Sequence, residues 1–451
     1  MKIVIVGVGK LGLSLAKQLS REGHDIVAVD QSEAALKMAT DTLDINCLCG
    51  NGVDQEVQIE AGVPGSDLLI AVTTTDAQNI LICMVAKKLG VGHTIARVRG
   101  PEYAKSLLTI REEMGLSLSI NPEQSAATEV SRILRFPSAM KVDFFGKGRV
   151  EMVEIKVGAG SRLIGHPLST IYDRFHVRVL VCAVQRGDTV CIPRGDYVPE
   201  EGDLISLTAT PNGILQFFRE IGMTAQKTRS VMLVGAGKIT YYLTKMLIEA
   251  GMQVSVLDKD HHRCEEFAEA FPKAMVICGD GTDRELLKEE GIDNVDALVA
   301  LTGLDEENVV ISMYASACGV SKVITKINHI TFGEVLTKAG IECVITPHVV
   351  ATGRILRYVR AMNRTTGGSM EALSKIVNDR VEAIEFRVRD GFRGAGKPLH
   401  ELHLKKGLLV ASILRAGKII LPSGDECIQP GDNVVIVTVN SGLKELNDIL
   451  A

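Results

Sequence analysis

The segment IVIVGVGKLGLSLAKQLSREGHDIVAVD, Ile3 to Asp30, is answered late in the chain by VMLVGAGKITYYLTKMLIEAGMQVSVLD, Val231 to Asp258. Gly7 and Gly9 align with Gly235 and Gly237 at a shift of 228 residues, and the likeness runs well beyond the turn. LCGNGVDQEV from Leu48 answers ICGDGTDREL from Ile277, GVPGSDLLIAVTTTDAQNI answers GIDNVDALVALTGLDEENV, and SRILRF answers GRILRY. Different material follows in the same order: IGHPLSTI at Ile164 against AGKPLHEL at Ala395, then IPRGDYVPEEGDLISL against LPSGDECIQPGDNVVIV. A self-match of this length makes the chain two copies of one module, each with two parts.

The first part alternates β-branched runs with helical periodicity. The pattern predicts strands at 3–6, 26–29, 45–48, 68–72 and 94–98, with helices at 10–22, 32–40, 53–61 and 76–89 between them. Strands alternating with helices predict a parallel sheet covered on both faces, a Rossmann-like α/β unit. The second part, about Val150 to Gly222 and again Val381 to Leu450, is rich in strands and turns, with RGD, EEGD and AGK at hairpin-like spacing, and reads as a small α+β domain. Between the parts, NPEQSAATEVSRILRFP at Asn121 predicts a helix capped by Asn with Pro in its first turn and ending before Pro137; its counterpart is TPHVVATGRILRYVRAMN. The expected domains are 1–136, 140–224, 229–362 and 371–451, with linkers at GKGR (Gly146), TAQKTRS (Thr224) and NRTTGGS (Asn363).

Composition narrows the function classes. With 451 residues there is room for several cores. The 46% hydrophobic and 23% charged content is that of a globular protein. No uncharged apolar run approaches the roughly 20 residues a membrane helix needs, and MKIVIVGVGK reads as a strand entering a glycine turn rather than a signal peptide, so a cytoplasmic location is expected. Net charge −5 and a pI near 6.1 give no basic field for nucleic acid, and no polybasic run suggests lipid attachment. Any membrane association then runs through a protein partner. Ten scattered cysteines form neither a disulfide framework nor a CxxC pair and read as reduced thiols. Among the ten histidines, His400 with His403, or His261 with its neighbours, would share a helix face, but no second ligand pair follows, and no metal site is expected.

Gly7, Gly9 and Gly12 form GxGxxG directly between a strand and a helix, the context in which that motif binds nucleotides. Gly7 allows the tight turn, Gly9 lets backbone approach a phosphate, and Gly12 lets helix pack on strand. Val8, Lys10 and Leu11 complete the turn, whose helix N-terminus presents free N–H groups. Asp30 ends the second strand, where a carboxylate accepts ribose hydroxyls and disfavours a 2′-phosphate. At the carboxyl ends of the later strands stand Asn51, Thr73 to Thr75 with Asp76, and Arg97 and Arg99, whose guanidinium groups suit phosphate oxygens. The alternatives are a Rossmann unit without a ligand and arginines on a solvated strand end. In the second copy Thr240 replaces the third glycine and is expected to crowd the helix against the strand, and Lys326 and Asn328 replace the arginines.

An oxidoreductase of this architecture needs a proton-transfer group facing its cofactor. No acid/base cluster stands out, His166 and His176 have no counterparts in the repeat, and no GxxxxGK[ST] loop suggests hydrolysis. The residues describe binding without chemistry, and an NAD-dependent oxidoreductase with duplicated Rossmann domains and a free-standing nucleotide-binding scaffold stay open as alternatives.

IVGVGKLG, Asp30, CGNG, TTTDAQNI, ARVRGPEYA and INPEQ, followed by GSRLIGHPLSTI and EEGDLISL, resemble the RCK (also called KTN) nucleotide-binding domain with its companion RCK_C domain, over essentially the whole chain. The resemblance implies a cytoplasmic regulatory subunit, peripheral on the inner face of the cell membrane. It implies a homotetrameric ring beneath a membrane potassium-translocating subunit of the TrkH or TrkG type, gating potassium flow without chemical turnover. The implied ligands are NAD(H) and/or ATP and ADP. By resemblance, Gly7, Gly9 and Gly12 hold phosphates, Asp30 the ribose, Asn51 the region near adenine, and Thr73, Thr74 and Asp76 the cleft rim. Arg97 and Arg99 reach the terminal phosphates and tell ATP from ADP. Gly235, Gly237, Asp258 and Asp280 keep enough of the pattern to hold an adenosine or a dinucleotide. The first copy is thereby expected to be the main sensing site and the second chiefly to complete the ring.

Overall fold

The computed structural model describes the chain except for residues 104–109, 112, 136–139, 147–148, 224–227, 330–335, 337–340, 342, 363–369, 378–379, 441 and 444. The expected linkers at Gly146, Thr224 and Asn363 lie partly or wholly outside the described residues, as does the chain around Pro137. The rest divides into two compact units, Met1–Ser131 with Ser230–Leu356 and Arg132–Arg229 with Arg357–Ala451, so like parts of the two copies belong together.

In chain order the first Rossmann copy is β1 Lys2–Val6, α1 Lys10–Arg21, β2 Asp25–Asp30, α2 Glu33–Thr42, β3 Asn46–Cys49, α3 Gln55–Glu60, β4 Leu68–Ala71, α4 Asp76–Lys88, β5 His93–Arg97, β6 Leu118–Ile120 and α5 Pro122–Arg135. Its sheet runs β3-β2-β1-β4-β5-β6 with every pairing parallel. The order reverses between β1 and β4, and ligands of open α/β sheets bind at that switch point. Ile3, Val4, Ile5 and all of β4 are fully buried, as strands covered on both faces must be. Side-chain caps fix most helix starts: Ser32 accepts from Ala35 N–H, Asp54 from Glu56 N–H, Thr75 from Gln78 N–H, and Asn121 from Gln124 N–H. The predicted helix 53–61 is Gln55–Glu60, with Asp54 as its cap and Ala61 ending it, and a 3-10 turn, Val63–Gly65, follows. Strand β6 has no counterpart among the expected elements, since three residues are too few to show a period.

The first small domain follows: β7 Lys141–Phe145, β8 Val150–Lys156, α6 Ile171–Phe175, β9 Leu180–Arg186, β10 Thr189–Cys191, β11 Leu204–Ala209 and α7 Pro211–Glu220. The second Rossmann copy comprises β12 Ser230–Val234, α8 Lys238–Glu249, β13 Gln253–Asp258, α9 His261–Ala270, β14 Met275–Cys278, α10 Arg284–Glu289, β15 Ala297–Ala300, α11 Asp305–Ala317, β16 Lys322–Lys326, β17 Val344–Ile345 and α12 Pro347–Met362. Its order, β14-β13-β12-β15-β16-β17, repeats the first. The second small domain is β18 Met370–Ile376, β19 Val381–Arg387, β20 Leu408–Arg415, β21 Lys418–Ile420 and β22 Asn433–Thr438.

The small sheets run β10-β9-β11-β8-β7 and β18-β19-β22-β20-β21, one order read from opposite ends, and both are antiparallel. Each holds a buried acid with a forked arginine: Arg186 bonds Asp203 at 2.8 Å on both arms, and Arg415 bonds Asp432 at 3.0 and 2.9 Å. The two domains share a core that includes Phe145, Met152, Ile376 and Val437. Across it, buried Glu154 accepts from Val377 N–H and buried Glu385 from Gly146 N–H, each at 2.9 Å. These are equivalent bonds exchanged between the copies, made to turn residues that both lie at positive φ.

His400 lies in a 3-10 turn, Leu399–Glu401, with His403 beyond it, so the expected shared helix face does not exist. His261 and His262 open α9 and face Glu265 and Glu266 one turn on. Among the described residues, no helix is long and apolar enough to cross a membrane, and no group of three His, Cys, Asp or Glu is placed to hold a metal ion.

Candidate nucleotide site

The glycine turn of the first copy can be read position by position. Gly7 sits at φ +100°, and a Cβ there would lie 2.9 Å from the Val72 carbonyl and the Thr73 nitrogen. Gly9 meets nothing within 4 Å, so the turn is open on that side; a Cβ on Gly12 would come within 1.9 Å of the Gly7 carbonyl oxygen. The first glycine thus fits the crossing of two strands, the third the packing of α1 on the turn, and the second leaves room for an outside group. Gly9 caps α1 without a side-chain hydrogen bond, unlike the four capped helices around it, so donors at this helix start remain available. Lys10 and Leu11 open the helix, Leu11 inward and Lys10 outward.

Asp30 organises this turn. Its Oδ2 accepts from Val8 N–H at 2.6 Å and its Oδ1 from Ser32 N–H at 2.9 Å. Both oxygens retain lone pairs for further donors. Asn51 is exposed at the end of β3, with Oδ1 accepting from Val53 N–H at 3.2 Å.

The far rim depends on a residue absent from the expected site. Asn79, fully buried on α4, accepts from Thr73 N–H at 2.8 Å and Thr73 Oγ1 at 2.7 Å, and donates to the Arg97 carbonyl at 2.9 Å. Asn308 accepts from Thr302 N–H at 2.8 Å and donates to the Lys326 carbonyl at 3.0 Å in the same way. The recurrence of Asn in DAQN and DEEN was the available signal. Thr74 is exposed. Asp76 spends Oδ2 on the N–H groups of Arg99 and Gly100, at 2.9 and 2.7 Å, and tethers the chain leaving β5.

Arg97 and Arg99 converge on that rim. Arg97 donates to the Thr73 carbonyl and Arg99 to the Thr74 carbonyl, the latter at 2.8 Å, while the Nε of each is buried with no partner. Burial, then the neighbouring Arg99, lowers the pKa of Arg97 from its ordinary value. Glu123 stands 3.8 Å from Arg99. Burial raises its pKa, against the pull of its own backbone N–H, Arg99, Arg97 and Lys238 of the second copy. That copy closes on the same corner through Tyr242, whose hydroxyl donates to the Arg99 carbonyl at 3.1 Å and lies 2.9 Å from Asn121 Nδ2. Two guanidiniums, that of Arg97 desolvated, held by carbonyls and one carboxylate suit an incoming anion.

The second copy repeats the plan with other chemistry. Gly235 takes φ +104° against the Leu301 carbonyl, Gly237 is open, and Asp258 accepts from Ala236 and Asp260 N–H at 2.6 and 2.9 Å. Thr240 is fully buried, and its hydroxyl donates to the Gly235 carbonyl oxygen, the counterpart of the atom that α1 approaches in the first copy. Asp280 accepts from Thr282 N–H and Oγ1 at 2.9 and 2.8 Å, bonds that lower its pKa. Lys326 donates to the Thr302 carbonyl at 2.6 Å, filling the role of Arg97. A cavity of about 370 Å³ opens here, lined by Gly235, Gly237, Asp258, Lys259, Asp280 and Lys326 among others. That is within the usual size of small-molecule clefts. Lys10 of the first copy lies 3.1 Å from His329 Nε2 of the second.

A TrkA-N domain model matches residues 3–122 and 231–347, and a TrkA-C domain model matches 152–222 and 383–451. The chain is 33% identical to the Trk system potassium uptake protein TrkA homolog 1 of Methanosarcina mazei, covering 99% of each. It is 30% identical to the Trk system potassium uptake protein TrkA of Vibrio alginolyticus, covering 100% of this chain and 98% of the other. Among solved structures, the GsuK RCK domain superposes with TM-score 0.62 at 17% identity, over 97% of this chain and 92% of that one. A GsuK channel bound to NAD gives the same score at 16% identity, over 97% and 76%. At such identities the likeness is one of fold.

Proposed function

We propose a function from one premise, that the chain belongs to the TrkA family. The protein is a nucleotide-sensing regulatory subunit of potassium uptake, working in the cytoplasm beneath a membrane-embedded potassium-translocating subunit of the TrkH or TrkG type. It binds without turning its ligand over, and it assembles into a homotetrameric ring. The ligands are NAD(H) and the adenine nucleotides ATP and ADP. Gly7, Val8, Gly9, Lys10, Leu11 and Gly12 receive the phosphates, Asp30 the ribose, Asn51 the adenine end, and Thr73, Thr74 and Asp76 shape the rim. Gly235, Gly237, Asp258 and Asp280 offer a second cleft for an adenosine or dinucleotide.

The observation that carries this reading is the Arg97–Arg99 corner. The Arg97 guanidinium is desolvated, each arginine leaves its buried Nε unpaired, and the Tyr242 hydroxyl of the other copy bonds the Arg99 carbonyl. A terminal phosphate there satisfies the free donors and relieves the repulsion between the arginines, and the response passes to the partner copy through Arg99. A ligand shifts such an equilibrium only by its differential affinity for the two arrangements. Discrimination by charge therefore resides in the first copy, and the second, with Lys326 and Asn328, holds a ligand without counting phosphates.

The test is a titration with NADH followed by displacement with ATP and with ADP, for the wild type and Arg97→Ala. ATP displaces NADH, and the substitution weakens ATP roughly tenfold or more while ADP changes less, as loss of a charge-assisted hydrogen bond requires. If neither adenine nucleotide displaces bound NADH, the assignment of Arg97 fails.

A further inference from the structure

Two thiols flank the acid of the second cleft. Cys278 ends β14 as the cross-strand partner of Asp258 and is exposed. Cys264, in the first turns of α9, is buried, with its Sγ 3.3 Å from the Asp258 carbonyl oxygen and 3.7 Å from that of Ile277. Both therefore border the same pair of peptides: the Ile277 carbonyl that Cys264 reaches is bonded to Cys278, and Asp258 pairs with Cys278 across the strands. Burial, then Cys278, then Asp258, pushes the Cys264 thiol up to about 11. The first copy has only half of this arrangement. Cys49 is the partner of Asp30 in the same register and is also exposed, but Leu36 stands where the repeat places Cys264.

We propose that Cys264 and Cys278 form a modification site: a reversible disulfide that staples α9 to the end of β14 at the ribose corner of the second cleft. The oxidant is a hydroperoxide. The Cys278 thiolate attacks its outer oxygen, the O–O bond breaks, and the alkoxide or hydroxide leaves and takes up a proton, giving a sulfenic acid on Cys278. The Cys264 sulfur then attacks the sulfenic sulfur, hydroxide leaves, and with the Cys264 proton it departs as water. Two thiols are oxidised and one peroxide is reduced. Exposure makes Cys278 the sulfur that meets the oxidant, and burial keeps Cys264 intact as the resolving thiol. A thiol reductant reverses the bond, as is usual for transient disulfides in a reducing compartment.

The staple has a consequence for the cleft. Arg263 precedes Cys264 and Asp280 follows Cys278 by two residues, and both line the cavity with Asp258 between them. Drawing the start of α9 onto β14 narrows that side and weakens nucleotide binding there. This consequence rests on the nucleotide reading; the disulfide itself does not.

The experiment uses the full-length reduced protein, dosed with hydrogen peroxide and mapped by mass spectrometry without reduction, with NADH binding measured in parallel. One linked peptide joining Cys264 and Cys278 is expected, reversed by dithiothreitol. In Cys264→Ser it is absent, and Cys278 proceeds to sulfinic acid. The NADH-binding class that Asp258→Ala removes weakens about tenfold on oxidation, and the class that depends on Asp30 does not. If Cys278 overoxidises as readily in the wild type as in Cys264→Ser, the site is refuted. If the link forms while Asp258-dependent binding is unchanged, the latch is refuted. If the link forms in a protein that binds no NADH in either state, the modification site stands and the nucleotide reading falls.

Discussion

Arg97, Arg99 and Glu123 of the first Rossmann copy stand where the second carries Lys326, Asn328 and His348. The two sheets have the same strand order, the acids Asp30 and Asp258 make the same two bonds at the same distances, and Asn79 and Asn308 bind matching atoms. Duplication has preserved the groups that shape the cleft and changed those that would meet charge at its far end. The trans contacts differ too: Lys238 faces the Glu123 corner, while Lys10 faces His329 and His348. Backbone geometry is thus the shared inheritance of the two copies, and electrostatics is where they diverged.

That comparison breaks most sharply at the third glycine. Gly12→Val drives a Cβ into the Gly7 carbonyl and lowers stability by about 1–3 kcal/mol, with loss of nucleotide affinity. Gly12→Thr recovers roughly 1 kcal/mol of this, because its hydroxyl donates to the same carbonyl as Thr240 does in the second copy. Denaturant unfolding of the two variants side by side checks the order; equal losses would mean that the hydroxyl contributes nothing. Next come Asn79→Ala and Asn308→Ala, each leaving buried backbone groups unpaired and costing about 2–3 kcal/mol. Calorimetry should find the two losses alike, and a large inequality would show that the copies are not equivalent scaffolds.

Smaller effects sharpen the divergence. Arg97→Lys makes the first copy resemble the second, and competition binding should find the preference for ATP over ADP reduced about tenfold. Lys326→Arg produces no such preference in the second copy, because Asn328 supplies no second guanidinium. The least effect is a pH dependence. Burial, then Lys10, then His329, lowers the pKa of His348 from its ordinary value of 6.5. A base depressed on folding leaves stability intact above 6.5 and removes it as pH falls from there through the folded value. Thermal melting across this range should show the acid-side loss in the wild type and a weaker one in His348→Gln.

Much of this was legible without coordinates. The repeat, the alternation of strand and helix, GxGxxG and the acid closing the second strand are local patterns, and local patterns survive in a linear string. The helices predicted at 10–22 and 76–89 are Lys10–Arg21 and Asp76–Lys88. His400 and His403 misled because spacing suggests a shared helix face only where a helix exists, and a 3-10 turn occupies that stretch. Asn79 passed unnoticed because one polar residue inside a helix looks like any other. Its four partner atoms belong to Thr73, just past β4, and to Arg97, at the end of β5, which only folding brings together.

The sequence by itself determined the duplication, the parallel sheets, the glycine turns and the acids that end their second strands, since each follows from residue type and spacing over a few turns of chain. Only the tertiary structure decided that the Thr240 hydroxyl bonds the Gly235 carbonyl, that Tyr242 bonds the Arg99 carbonyl, that Glu154 and Glu385 exchange equivalent bonds, and that Cys264 reaches the peptide next to Cys278. Those contacts join residues that packing brings together, and packing is set by volume and hydrogen-bond satisfaction across the whole fold rather than by periodicity.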